Sequence, residues 1–163
     1  MIDPSDRLPA PIFEIPIPAL LRHARAAYGL AMRAALQGAG YDDIPKNGMY
    51  VIGGLALGAG DVPLAHLIRD LRISKQAAGQ LVDTLVNRGY LARNVDEQDR
   101  RRLVVTLTDR GRAAAAAQAA ARERIDAQLL EKVGPQCIEH TRVALAALTQ
   151  MAGWGEIPAD DDT

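Results

Sequence analysis

A chain of 163 residues, 48% hydrophobic and 24% charged, is sized for one compact domain with helical extensions and is too apolar to stay disordered. Its one cysteine, Cys137, excludes an internal disulfide framework. The net charge of −1 is unevenly spread: residues 69–112 hold ten Lys and Arg against six Asp and Glu, a local +4 that leaves −5 elsewhere.

A basic segment on an acidic body gives one side that attracts phosphate and another that repels it, although a solvated charged face produces the same pattern. No N-terminal segment has the charged and apolar regions of a secretory leader, and no apolar run approaches the ~18 residues of a membrane span. A soluble, cytoplasmic protein with no membrane partner is expected. With 4% aromatic residues and abundant alanine, a core of Ala, Leu and Val in closely packed helices is expected over an aromatic-rich sandwich.

Residues 1–18 hold five prolines with Ile12, Phe13, Ile15 and Ile17 among them, which predicts an extended N-terminal arm. Helical spacing of Leu20, Leu21, Ala24, Ala27, Tyr28 and Ala31 predicts a helix over about 18–37, ended by Gly38 to Gly40. A second, glycine-interrupted helix is expected over 46–57. A third, 63–71, has Pro63 in its first turn, where a missing N–H costs nothing.

Ser74 then suits the N-cap of a helix running to about 88, with Ala78, Leu81, Val82, Leu85 and Val86 inward and Gly89 ending it. Strands are expected over 90–94 and 103–107. Thr108 suits the cap of a long helix over 109–132, broken at Gly134-Pro135 and followed by a last helix over 136–152. The acidic tail, 153–163, has little to bury and is expected to fray.

Two helices joined by a tight connection, the second polar at its start, match a helix-turn-helix layout. The outward residues of its first turns are Ser74, Lys75, Gln76, Gly79 and Gln80. Gln can pair with adenine N6 and N7, Lys can reach guanine acceptors or phosphate, and Ser can do either. Ala77 and Gly79 add little bulk, so such a helix can sit deep in a groove. An amphipathic helix pair with a solvated polar face would carry the same residues.

Arg100, Arg101 and Arg102 stand in the connection between the two strands, among Asp96, Glu97 and Asp99. A hairpin tip of this kind can enter a minor groove, where narrow A·T tracts favour arginine. Local ion pairing in solvent is the alternative. The alanine run at 113–117, continued at 119–121, is too slight for a self-sufficient core, and the last helix adds Ile138, Val143, Leu145, Leu148 and Met151. Such surface suits a two-fold dimer, which would read a palindrome, or else packs on the chain's own first helix.

The stretch Asp96 to Ala113, DEQDRRRLVVTLTDRGRA, resembles the wing of multiple-antibiotic-resistance-type (MarR) regulators. Their pattern D-x-R-x-x-x-V-x-L-T-x-x-G falls on Asp99, Arg101, Val105, Leu107, Thr108 and Gly111 without gaps. Upstream, ISKQAAGQLVDTLVNRGYLAR (Ile73 to Arg93) resembles the recognition helix of the same family. The resemblance is close over 45–113, and the flanking helices agree in number and length.

It implies a mainly α fold with a winged helix-turn-helix DNA-binding lobe at 41–108, three helices plus a two- to three-stranded wing. Dimerisation helices would lie at 19–40 and 109–152. It also implies that Asp99 holds the wing by pairing with an arginine, that Arg100 or Arg101 reaches the minor groove, and that a small aromatic or phenolic effector binds a cleft beside the lobe and lowers DNA affinity. By position relative to the family, Arg25, Tyr28, Met32 and Tyr50 would line that cleft.

His23, His66 and His140 are scattered without ligand spacing, so no metal or cofactor is expected, and Cys137 suits a buried small hydrophobe. No Ser-His-Asp set, paired carboxylates or phosphate loop supports an enzyme, and Gly53-Gly54 and Gly58-x-Gly60 suit packing and turns. The expected function is a sequence-specific homodimeric regulator of transcription, a repressor released by a small ligand, with double-stranded DNA as partner. The alternative is a winged-helix protein-interaction module that does not bind DNA, which the sequence pI of about 6.3 would suit.

Overall fold

The computed structural model describes residues 12, 14–58, 73–95 and 103–151. Their contacts gather Leu21–Glu123 into one compact unit and the flanking residues into a second. Most of the buried core belongs to the first unit. The helix expected at 63–71, the hairpin connection with Asp99, Arg100, Arg101 and Arg102, most of the N-terminal arm and the acidic tail lie outside the described residues.

Helix α1, Ile17–Gly38, starts with Pro18 in its first turn and turns Leu36 into the core. It ends as Gly40 adopts φ 80° and the Tyr41 N–H returns to the Leu36 carbonyl at 2.8 Å. Helix α2, Gly48–Leu57, is apolar on nearly every face and buries Met49, Val51, Ile52 and Leu55, as a helix without a polar stripe must. It begins two residues later than the pattern suggested.

Helix α3, Lys75–Asn87, buries Ala78, Val82 and Leu85 and is capped by Ser74, whose Oγ accepts from the Ala77 N–H at 3.1 Å. Ser74 itself is extended, φ −64° and ψ 153°, as an N-cap requires. Gly89, at φ 73°, lets the chain reverse at the far end.

Strands β1, Leu91–Val95, and β2, Leu103–Leu107, pair antiparallel with Leu91 opposite Leu107 and Val95 opposite Leu103. Among the described residues the sheet has these two strands. Strand β1 begins one residue later than expected because the Tyr90 N–H is spent on the Leu85 carbonyl at 2.9 Å, closing α3 before the ladder starts.

Helix α4, Asp109–Met151, is interrupted at Gly134 (φ 79°, ψ 165°) just before Pro135, giving arms at 109–133 and 135–151. The break falls where Gly-Pro predicts it. Thr108 caps the first arm: its Oγ accepts from the Gly111 N–H at 3.0 Å and donates to the Gly89 carbonyl at 2.6 Å. That arm buries Gly111, Ala114, Ala115, Gln118 and Ala121, a small-residue stripe at helical spacing. Among the described residues no helix is long and apolar enough to cross a membrane, and no group of His, Cys, Asp and Glu is arranged to hold a metal ion.

Candidate functional site

The first face of interest is the start of α3. Ser74, Lys75, Gln76, Ala77, Gly79 and Gln80 are all exposed, while Ala78 and Val82 between them are buried. The inward stripe therefore fixes the helix rotation so that one cation, two amides and a hydroxyl point outward together. Among the described residues nothing lies within 4 Å of a Cβ built on Gly79.

Downstream, Arg93 of β1 pairs with Asp83 of α3, tying the strand to that helix. Across the ladder Asn94 Nδ2 donates to Thr106 Oγ1 at 2.7 Å. These contacts hold the two strands that lead to and from residues 96–102, which lie outside the described set together with the Asp99, Arg100, Arg101 and Arg102 assignments.

Residues that the sequence did not single out set the lobe's geometry. The Tyr90 hydroxyl donates to the Asp43 carboxylate, Arg110 Nη2 donates to Tyr90 Oη at 3.0 Å and to Asp43 Oδ1 at 3.2 Å, and Arg88 donates to the Asp43 carbonyl. The Arg110 guanidinium lies 4.5 Å from the Tyr90 ring centroid, and Tyr41 meets the same ring edge-on. The hydrogen bond from Tyr90, aided by the charges of Arg110 and Arg88, holds the Asp43 carboxyl below its usual range. Burial, followed by the bond to Asp43, pushes the Tyr90 phenol up.

The second feature is a cavity of about 890 Å³ within Leu21–Glu123, walled by α1, α2, β2 and the first arm of α4. Tyr28, Met32 and Tyr50 line it, three of the four residues expected there. Arg25 is not on the wall; its guanidinium sits 5.1 Å from the ring centroid of Tyr50, which is. Gln118, which the sequence analysis passed over, lines the cavity and is 3% exposed. Its signal was available: one carboxamide in a stripe of Gly and Ala at helical spacing.

A helix carrying an exposed polar first turn, followed by a two-stranded antiparallel ribbon and flanked by long helices, defines a winged-helix fold. The MarR family profile matches residues 47–102. Over that stretch the chain is similar to the MarR family, and the match takes in α2, α3 and β1.

Among solved structures it is similar to Streptococcus pneumoniae FabT in complex with DNA, with TM-score 0.70, 20% identity and coverage of 84% of this chain and 95% of that one. It is also similar to RV1404 from Mycobacterium tuberculosis, with TM-score 0.63, 25% identity and coverage of 85% and 92%. Staphylococcus aureus MepR bound to ethidium bromide gives TM-score 0.56, 18% identity and coverage of 85% and 98%. No curated protein sequence matches the chain.

Proposed function

We propose that the protein is a homodimeric transcriptional repressor of the cytoplasm that reads a palindromic operator and is released by a small aromatic or phenolic effector. The observation that carries this reading is the exposed, capped first turn of α3, where Ser74, Lys75, Gln76 and Gln80 face outward around an unfilled Gly79. Such a set can lie in a major groove, with Gln76 and Gln80 pairing to base edges and Lys75 reaching guanine or phosphate. Arg100, Arg101 and Arg102 would grip the minor groove and its phosphates, with Asp99 steadying the wing.

The DNA-binding lobe is taken as 41–108 and the dimerisation helices as 19–40 and 109–152. Dimerisation is supported by the 135–151 arm, where Val143, Leu145, Leu148 and Met151 are exposed along a helix with too few partners of its own. A second copy related by a two-fold axis would cover them. The effector reading is supported by the cavity that Tyr28, Met32 and Tyr50 line, and by the small-molecule complex of the similar MepR.

Anisotropy titration with the intergenic DNA upstream of the gene tests the proposal. Binding should survive excess unrelated DNA, and Gln76→Ala should relax discrimination at one half-site position by ~1–3 kcal/mol. Arg101→Ala should weaken binding to every sequence and reduce the salt slope by about one. Binding abolished by modest competitor DNA would favour a protein-interaction module instead.

A further inference from the structure

Resting on the DNA reading above, we propose that Tyr90, Asp43 and Arg110 are positioning residues that set the angle of α3 against α4, and through it the half-site spacing that a dimer of this chain reads.

Tyr90 is bonded in three directions. Its N–H donates to the Leu85 carbonyl at 2.9 Å, closing α3, and its carbonyl accepts from the Thr108 N–H at 3.1 Å, at the start of α4. Its hydroxyl donates to the Asp43 carboxylate, in the segment between α1 and α2. The ring between these ends is fully buried and meets Tyr41 edge-on, with ring centroids 6.1 Å apart. One residue thus joins three elements of the lobe at a single point.

Arg110 closes the arrangement from α4. Its Nη2 donates to Tyr90 Oη at 3.0 Å and to Asp43 Oδ1 at 3.2 Å, and its guanidinium lies 4.5 Å from the Tyr90 ring centroid. Arg88, the C-cap of α3, donates to the Asp43 carbonyl. The end of α3 is therefore held to Asp43 twice, through a backbone carbonyl and through a carboxylate. An exposed ion pair such as Arg110–Asp43 adds little stability by itself. Its effect here is directional, because hydrogen bonds of restricted length and angle to a buried side chain are satisfied together in one orientation of α3.

The opposite end of α3 has no such anchorage among the described residues. Ser74, Lys75, Gln76 and Ala77 are exposed, and the Ser74 cap bond is internal to the helix. The Arg93–Asp83 pair ties the middle of α3 to β1, which follows directly from Tyr90 and so turns with it. The helix is a lever pivoted at residues 88–90. Its 13 residues span about 20 Å at an α-helical rise. A tilt of about 5° at the pivot moves the first turn by ~1.7 Å. Two protomers related by a two-fold axis then change the separation of their first turns by up to ~3.4 Å, the rise of one base pair.

Pulsed spin-label distance measurement on the full chain tests the angle. With Cys137→Ser removing the native thiol, labels at Gln76→Cys and Glu123→Cys, both exposed positions, read the first turn of α3 against the first arm of α4. Dilution with unlabelled protein isolates the distance within one protomer. Tyr90→Phe, which keeps the buried ring, and Arg110→Gln should each shift the mean or widen the distribution by about 2 Å or more. Ile52→Val, a core change in α2 that also lowers stability, should leave the distribution as in wild type. Thermal melts check that each variant folds, and Tyr90→Phe decides if Arg110→Gln does not. A distribution unchanged in Tyr90→Phe overturns the proposal.

Anisotropy titration reads the consequence, using the footprinted site from the intergenic DNA upstream of the gene, native or with one base pair inserted at its centre. Wild type should prefer the native spacing by roughly 10-fold or more, and both variants should cut that preference to about 3-fold or less without altering base preference inside a half-site. A spacing preference absent from wild type, or undiminished in both variants, overturns the link to spacing. If the variants change the angle of α3 but wild type binds no site in that DNA, the positioning role stands and the DNA reading fails.

Discussion

The hydroxyl of Tyr90 donates to the carboxylate of Asp43, 47 residues upstream, and that bond ties the loop before α2 to the segment between α3 and β1. Arg110, in the first turn of α4, reaches both groups, so three elements of the lobe meet at one cluster. The position of α3 relative to the start of α4 is fixed here, at the end of α3 remote from its capped first turn.

The cluster gives the fold a sensitivity to pH at both extremes. The folded-state pKa of Asp43 is lowered from its ordinary 3.8, so its contribution is complete above that value and is lost as pH falls through the lower folded value. The folded-state pKa of Tyr90 is raised from 10.0, so its contribution is complete below 10.0 and is lost as pH rises through the higher folded value. Denaturant melts across pH should therefore show wild type losing stability at both ends. Tyr90→Phe should flatten the alkaline limb, narrow the acid one and cost about 1–2 kcal/mol near neutrality. An unchanged alkaline limb in Tyr90→Phe would show that another group titrates there.

Gly111 admits no side chain. A Cβ there would lie 2.1 Å from the Tyr90 carbonyl oxygen, which is backbone and cannot step aside. The same carbonyl accepts from the Thr108 N–H at 3.1 Å, so the first turn of α4 is docked directly on the end of α3. Gly111→Ala should destabilise by roughly 3 kcal/mol through forced backbone displacement, although alanine favours helices elsewhere. Chemical denaturation checks it, and a change below 1 kcal/mol would mean that the two elements separate readily.

Gly79 is the opposite case. Among the described residues nothing lies within 4 Å of a Cβ built there, and the residue sits inside α3. Gly79→Ala should stabilise the lobe by about 0.8–1 kcal/mol. If α3 sits deep in a groove, the added methyl should at the same time weaken operator binding by ~1–3 kcal/mol, the scale of one mismatched base pair. A stabilised variant with undiminished operator affinity would show that this face is not against DNA.

Local chemistry made much of this architecture legible. Ser74, Gly89, Thr108 and Gly134-Pro135 punctuate the chain at the positions their backbone preferences dictate, and the stripe Ala78, Val82, Leu85 set the rotation of α3. Long-range polar pairing was not legible. Asp43 and Arg110 are ordinary surface types at ordinary positions, and only the fold brings them to Tyr90. Gln118 was visible as a polar break in an alanine stripe, but whether it was satisfied depended on what lay opposite, which at its Oε1 is Gly53. Arg25 lies beside Tyr50 and off the cavity wall, a distinction that helical position alone does not make.

Ser74 carries two roles that substitution can separate. Its Oγ accepts from the Ala77 N–H, which satisfies an otherwise unpaired amide, while its hydroxyl hydrogen remains available to donate outward to a phosphate or base. Ser74→Ala removes both and should cost about 1 kcal/mol of stability together with operator affinity. Ser74→Asp keeps the cap and complements the helix dipole, so the fold should lose little or gain slightly, yet it places a negative charge where phosphate would lie. Operator binding in that variant should therefore fall further than in Ser74→Ala even though its melting temperature is higher. If affinity instead followed stability across the two variants, Ser74 would act on DNA only through the helix it caps.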